Sequence, residues 1–174
     1  IREPAGPRPE GSLDLDGTAA DLAVSASQVL VAAGEPGLRR IDITDPGAPL
    51  QVETLDTPGT ARGVTVSDGA AFVADGTAGL RIIDLLNASG MSLLGAYDTA
   101  GDATDVVVSG GHAFVADGAA GLVILDVSDP MTPSLVGSLD TPGTAKAVAL
   151  DGGFAFIADD FKGVQIIDVS NPLL

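Results

Sequence analysis

Two aspartates and two cations alternate along the chain at matching positions, and they are the side chains best suited to bind a ligand. Asp21 and Asp105 share one position of a repeat, and Arg62 and Lys146 lie one position earlier in the intervening copies. If the carboxylates meet, they can hold a small ion or polar ligand, or act as an acid–base pair in hydrolysis. A self-neutralised charge cluster explains the same alternation, since an oxygen-ligated cation needs several converging oxygens.

Other reactive residue types are scarce. The chain has a single histidine, His112, and no cysteine. The composition therefore excludes disulfides, thiolate metal sites and cysteine nucleophiles, and it leaves no histidine-based metal site or Ser-His-Asp arrangement. The aspartates that recur after the second and third strands are expected to accept hydrogen bonds from backbone N–H groups of their own turns, a structural role. They form no loop of the EF-hand kind. We expect no cofactor, and nothing in the sequence supports a bound divalent cation.

The net charge of −16 limits the class of partner. Such a surface repels nucleic acid and anionic membranes. No apolar run is long enough to cross a bilayer, and the first residues show no secretion signal. We expect neither a nucleic-acid partner nor a membrane span. The acidity also suits solubility, high salt or cation binding, and the sequence leaves these open.

The elements that position these residues come from an internal repeat of 42 residues. Glycines mark its phase without slippage, at Gly37, Gly79, Gly121 and Gly163. A fixed period of this length is typical of propellers, solenoids and arrays. We predict a single domain over residues 1–174, with repeats at 4–45, 46–87, 88–129 and 130–171.

The segment from the third repeat into the start of the fourth predicts four short strands, at residues 104–108, 112–117, 122–127 and 135–139. Gly110-Gly111 lies between the first two, as in a tight hairpin, so neighbouring strands should be antiparallel. Four antiparallel strands per repeat predict an all-β propeller blade, and the hairpins disfavour a parallel β-helix. The strands are apolar on both faces, as expected where each blade lies between two others.

The third strands carry a family resemblance. The segment Leu122–Asp126, with sequence LVILD, resembles the LVIVD-repeat signature of bacterial and archaeal surface proteins, and Leu80–Asp84 and Val164–Asp168 are close variants. The preceding Phe114–Asp117 is similar to YVTN-type propellers. The resemblance covers essentially the whole chain and implies a β-propeller of four-stranded antiparallel blades, extracellular or at the cell surface. It implies no catalytic residues.

The two ends of the chain share the same phase. Pro172 corresponds to Pro4, and the segment Gly11–Asp14 matches Gly137–Asp140. An N-terminal strand is therefore expected to complete the last blade, which would leave no open edge. Three arrangements fit: a closed ring of four blades, a ring of eight blades from two chains that exchange their first strands, or part of a longer array. We favour the first, because an alanine recurs near the crowded axis in every repeat, at Ala19, Ala61, Ala103 and Ala145.

Three residues depart from the repeat pattern in ways that suggest a partner surface. Phe161 and Lys162 occupy a turn that has no aromatic residue in the other repeats, and Arg40 stands where the others have isoleucine. Phe161 can instead cover a gap where the ring closes. A charge at an apolar position is costly unless it is paired or reaches solvent, so Arg40 needs an acidic neighbour or a route outward.

These observations predict a non-catalytic protein-interaction or assembly module. Its partner would be a protein or a cell-surface component, with self-association through the chain ends. One alternative is a structural subunit of a surface layer or filament. The other is a propeller hydrolase acting on a sugar or ester, which requires Asp21 and Asp105 to face one pocket.

Overall fold

The computed structural model describes residues 6–171 as fifteen β-strands and one turn of 3-10 helix at Asp160–Lys162. The strands form four sheets, and the strands of each sheet are antiparallel and consecutive in the chain. The predicted all-β propeller architecture is therefore confirmed. Residues 4 and 5 of the first predicted repeat, and the matching prolines Pro4 and Pro172, lie outside the described residues.

Each sheet is one blade, with strands numbered in chain order. Blade 1 contains β1 Asp21–Ser25, β2 Gln28–Ala32, β3 Leu38–Asp42 and β4 Leu50–Leu55. Blade 2 contains β5 Gly63–Ser67, β6 Ala70–Ala74, β7 Leu80–Asp84 and β8 Ser92–Tyr97. Blade 3 contains β9 Asp105–Ser109, β10 His112–Ala116, β11 Leu122–Asp126 and β12 Ser134–Leu139. Blade 4 contains β13 Ala147–Asp151, β14 Phe154–Ala158 and β15 Val164–Asp168.

Two-residue turns set the strand order inside the blades. Asp68 and Gly69 have φ of 49° and 80°, and Gly110 and Gly111 have φ of 59° and 78°. Two successive positive φ angles are typical of a type I′ turn, whose twist matches that of paired antiparallel strands. The predicted hairpins are confirmed, and the antiparallel pairing rules out a parallel β-helix.

Apolar layers fill the three spaces between successive blades. Each layer joins one face of a blade to the opposite face of the next. The layer between blades 1 and 2 includes Leu30, Leu38, Val64 and Val73. The layer between blades 2 and 3 includes Phe72, Leu80, Val106 and Val115. The layer between blades 3 and 4 includes Phe114, Leu122, Val148 and Ile157. Blades 2 and 3 are therefore covered on both faces, which explains their continuous apolar strands.

The described residues form an open arc, so the favoured closed ring of four blades is wrong for the single chain. Leu22 of blade 1 is 59% exposed, whereas its counterpart Val64 is 4% exposed. Val164 of blade 4 is 65% exposed, whereas its counterpart Leu80 is fully buried. The outward faces of the first and last blades thus lack the neighbour that every interior face has.

The recurring alanines are small for a reason other than a crowded axis. Ala61, Ala103 and Ala145 form backbone bridges to the preceding blade, at Gly34, Gly76 and Gly118 respectively. All three alanines are fully buried. The close approach is between neighbouring blades, so it arises in an open arc as readily as in a small ring.

The N-terminal segment does not form the expected strand in the single chain. Residues 11–15 lie outside any strand, and blade 4 has three strands within the described residues. Gly11 instead packs against the Pro46 carbonyl so tightly that a Cβ would not fit. Gly95 of β8 lies against the Pro130 carbonyl of blade 3 in the same way. The segment therefore sits beside blade 1 where a preceding blade would place its outer strand.

Candidate functional site

The two aspartates predicted to bind a ligand connect neighbouring blades. Asp21 begins β1, and its Oδ2 accepts a hydrogen bond of 2.8 Å from the backbone N–H of Val64 in blade 2. Asp105 begins β9, and its Oδ2 accepts one of 2.9 Å from Val148 in blade 4. The Oδ1 of Asp105 also accepts the N–H of Val106 at 2.8 Å. Both carboxylates therefore satisfy buried backbone donors across a blade boundary.

The environment of Asp105 perturbs its protonation. Burial raises the pKa of the Asp105 carboxyl, and the nearby charge of Asp21 raises it further. The hydrogen bonds from Val148 and Val106 lower the same pKa, but the burial effect is the largest. Asp21 and Asp105, which share one position of the repeat, therefore interact electrostatically in the folded chain.

The two cations predicted to join the aspartates do not pair with them. Arg62 forms an ion pair of 3.1 Å from its Nη2 to Oδ2 of Asp102, and both side chains are about 40% exposed. Lys146 is exposed and forms no ion pair with any described residue. The four predicted residues therefore lie at one end of the inner strands, and the two cations form no ion pair with Asp21 or Asp105. Asp102, which the sequence did not single out, is the acid that holds Arg62.

A buried carboxylate clamp recurs in blades 2, 3 and 4. In blade 3, Asp117 is fully buried and accepts a hydrogen bond of 2.6 Å from Thr99 Oγ1 and one of 2.8 Å from the N–H of Gly101. The donors belong to the linker that enters the blade. The same bonds reach Asp75 from Thr57 and Gly59, and reach Asp159 from Thr141 and Gly143.

The prediction that these aspartates accept hydrogen bonds from their own turn is therefore wrong. Their partners lie 16 or 18 residues earlier in the chain, in the linker from the previous blade. The signal in the sequence was the recurrence of Asp-Thr-Pro-Gly, or Asp-Thr-Ala-Gly before blade 3, in step with the buried aspartate. Blade 1 has Leu15 and Ala33 at the positions of the threonine and aspartate. Both polar partners are replaced together, so neither is left unsatisfied.

The aspartates at the ends of the third strands do make local bonds. Oδ1 of Asp126 accepts the N–H of Ser128 at 2.9 Å, and the carboxylates of Asp42 and Asp168 make equivalent bonds. These hydrogen bonds lower the pKa of all three exposed carboxyls. The predicted structural role of these aspartates is confirmed.

Arg40 is engaged within the chain. Its Nη1 lies 3.4 Å from Oε2 of Glu53, and its Nη2 donates to the carbonyl of Leu85 in blade 2 at 3.3 Å. Glu53 also accepts the N–H of Met91. Arg40 therefore has the acidic neighbour that the sequence required, and the pair holds blade 1 to blade 2. Arg40 therefore forms an internal contact, and little of its side chain is exposed for a partner to bind.

Phe161 and Lys162 lie at a loop tip of blade 4. The Phe161 side chain is 96% exposed, and the stem of Lys162 lies over Gly143. The corresponding loop positions Glu35, Thr77 and Ala119 are also exposed. Phe161 thus covers no gap within the described residues and remains available as a contact.

Two clefts lie at the blade boundaries. A cleft of about 490 Å³ lies between blades 3 and 4 and includes His112, Phe114 and Phe154 in its lining. A second, of about 480 Å³, lies over blades 1 and 2 beside Glu35 and Arg62. Among residues 6–171, no three histidine, cysteine or acidic side chains are placed to hold a metal ion. The same part of the chain contains no helix long and apolar enough to cross a membrane.

Comparisons with known proteins agree with this fold. The family model of the LVIVD repeat matches residues 16–57, 58–99, 100–141 and 142–173. The chain is similar to the crystal structure of the computationally designed Ika4 protein, with 14% identity and a TM-score of 0.74, over 94% of this chain and 99% of that one. No curated protein matches it significantly.

Two longer solved structures are also similar. The computationally designed Ika8 protein matches with 11% identity and a TM-score of 0.71, over 86% of this chain and 45% of that one. A functionally unknown protein from Desulfotomaculum acetoxidans matches with 20% identity and a TM-score of 0.76, over 90% of this chain and 56% of that one. This chain thus spans about half of each. At these identities, the likeness shows the fold alone.

Proposed function

The chain belongs to the LVIVD repeat family, and we propose that it is a non-catalytic β-propeller module that works by binding and assembly outside the cytoplasm or at the cell surface. The exposed end faces of the arc carry this proposal. Leu22 and Val24 on blade 1, and Val164 and Ile166 on blade 4, are large apolar side chains at least 59% exposed. Apolar patches of this kind mark interaction surfaces in soluble proteins.

The use made of the carboxylates supports a non-catalytic role. The buried aspartates of blades 2, 3 and 4 are held by linker donors, and Asp21 and Asp105 bond to the next blade. A general acid or base must be able to reach the proton that it transfers. Carboxylates whose oxygens face backbone donors inside a blade boundary are better explained as parts of the scaffold.

The role of the end faces in assembly can be tested by adding one charge to an end face and the same charge to a control position. Val164→Asp places a carboxylate on the exposed face of blade 4, where desolvating it would oppose docking. Leu93→Asp places the same charge on β8, the outer strand of blade 2, where the side chain is also exposed. Light scattering over a range of concentrations should give a mass above 17.2 kDa for the wild type and Leu93→Asp, but not for Val164→Asp.

A wild-type mass that stays at 17.2 kDa at every concentration would refute assembly of this chain with itself. A mass that keeps rising with protein concentration would favour the subunit of a surface layer or filament. The location is tested separately, by labelling intact and lysed cells of the source organism with an antibody to the chain. Labelling that requires lysis would contradict a surface position.

A propeller hydrolase is the second candidate, and one observation favours it. Burial raises the pKa of Asp105 beside Asp21, as expected of a carboxylate pair that shares acid and base roles. The enzyme hypothesis predicts that the wild type turns over glycosides or esters. It also predicts that Asp105→Asn abolishes this turnover and is as stable as the wild type. The scaffold hypothesis predicts lower stability in Asp105→Asn and no turnover in the wild type.

A further inference from the structure

We propose that two copies of this chain close into one ring of eight blades, in which residues 11–15 of each copy form the outer strand of the other copy's fourth blade. The inference rests on the proposed function, because it names a second copy as the partner of the end faces. It differs from open-ended assembly, since a ring of two leaves no free face.

The two end faces are complementary because they repeat an interface that the chain already contains three times. At each interior boundary, the face carrying Leu80 or Leu122 packs on the face carrying Val106 or Val148. Val164 is the counterpart of the leucines, and Leu22 is the counterpart of the valines. The face of blade 4 therefore has the shape and chemistry to pack on blade 1 of another copy.

The backbone at the boundary is also prepared for docking. Gly34, Gly76 and Gly118 have φ of 76°, 60° and 58°, and each bridges to an alanine of the following blade. Asp160 occupies the same position in blade 4 and keeps a φ of 49°. The same local turn holds this conformation in every blade, because the N–H of Gly163 donates to the Asp160 carbonyl as that of Gly37 donates to Gly34. Blade 4 therefore presents the same backbone geometry at this boundary position as the glycines do. In the ring, Asp160 would form the equivalent backbone bridge to Ala19 of the second copy.

The N-terminal segment is already placed as a strand for a neighbouring blade. Gly11 packs on the Pro46 carbonyl of its own blade 1 as Gly95 of β8 packs on blade 3. The segment is tied there by Arg39, whose guanidinium donates to the carbonyl of Asp16. When the fourth blade of a second copy covers Leu22, its β15 will lie alongside this segment. Pairing would then close the β15 edge, which is a stabilising outcome for exposed strand edges.

The register of the exchanged strand follows from the other blades. Thr54 pairs with Arg39 in blade 1, Ala96 with Arg81 in blade 2, and Ser138 with Val123 in blade 3. The 42-residue period makes Ser12 and Gln165 the corresponding pair. The inference therefore predicts that Ser12 of one copy lies directly opposite Gln165 of the other.

The test uses the absence of cysteine from the chain. The double variant Ser12→Cys/Gln165→Cys places thiols on directly opposed residues, whose Cβ atoms are near enough for a disulfide. Ser12→Cys/Ser89→Cys is the control, because Ser89 lies on an exposed loop of blade 2. After mild oxidation, a denaturing gel and a thiol titration are read for both variants, together with the light-scattering mass of the wild type.

The expected result is a wild-type mass that saturates at twice 17.2 kDa, and a covalent species of two chains without free thiols in the 12/165 variant only. A 12/165 variant that loses its thiols but remains one chain would mean a ring of four, and overturns the inference. A ladder of larger species would mean open-ended exchange and also overturns it. Association of the wild type without specific cross-linking at 12/165 leaves the proposed function standing and rejects this partner geometry. A wild type that never associates rejects both.

Discussion

The clamp between Thr99 and Asp117 offers the sharpest test of how successive blades are held together. Thr99→Val keeps the shape of the side chain and removes only the hydroxyl that donates to Asp117 at 2.6 Å. Asp117 is fully buried and Thr99 is half-buried, so water has poor access to the oxygen that loses its donor. One oxygen of a buried carboxylate is then left without its partner, while the bond from Gly101 remains.

The size of the effect follows from the kind of bond that is lost. A hydrogen bond to a charged group contributes about 1.5–3 kcal/mol, and Thr99→Val leaves no cavity that would add to this cost. We expect the free energy of unfolding to fall by that amount, which is roughly a 10- to 150-fold change in the folding equilibrium. Equilibrium unfolding in urea, followed by circular dichroism, measures the difference as a shifted midpoint with an unchanged slope.

Thr44→Val is the matched control. Thr44 Oγ1 donates to Asp42 with the same bond length of 2.6 Å, but the pair is exposed and water can replace the hydroxyl. We expect a loss below about 0.5 kcal/mol, as for most surface substitutions. If Thr99→Val were no more destabilising than Thr44→Val, the clamp would be a by-product of the fold and the reasoning would fail.

Two further predictions concern the blade boundaries. Because burial raises the folded pKa of Asp105, its contribution to stability is fully present below the ordinary aspartate pKa of 3.8 and is lost as pH rises through the folded pKa. The stability of the wild type relative to Asp105→Asn should therefore decline from pH 3.5 to 7 in urea titrations, and an increase would contradict the assigned shift. Arg40→Ile should cost about 1–3 kcal/mol by leaving Glu53 without its cation. Arg40→Ile/Glu53→Gly, which restores the residues of blades 2 and 3, should recover that loss in thermal unfolding, and failure to recover would show that the ion pair is not the cause.

Much of the architecture followed from the repeat and the turn residues. The strands of the third repeat were predicted within a residue or so at each end, because glycine pairs set the hairpin and the proline after β11 interrupts the ladder. Turn formation and the interruption of a strand depend on neighbouring residues, so a short stretch of sequence is enough to predict them. The family resemblance rested on the same third strands.

The candidate site was predicted only in part. The charge of Asp21 raises the pKa of Asp105, whereas a ligand held by these two carboxylates stays a prediction. The pairing of Arg62 with Asp102, and of the buried Asp117 with a linker 16 to 18 residues earlier, was not predicted. Such pairings depend on how one blade is rotated against the next, and the repeat period does not specify that rotation.

The sequence by itself determined the blade, its hairpins and the number of repeats, because short-range backbone preferences and apolar periodicity decide them. Only the tertiary structure decided the curvature of the arc, since curvature is the sum of small rotations at three packed boundaries. It thereby left Leu22 and Val164 exposed at opposite ends and placed the N-terminal segment beside blade 1. The choice between a ring of four blades and one of eight depends on those rotations.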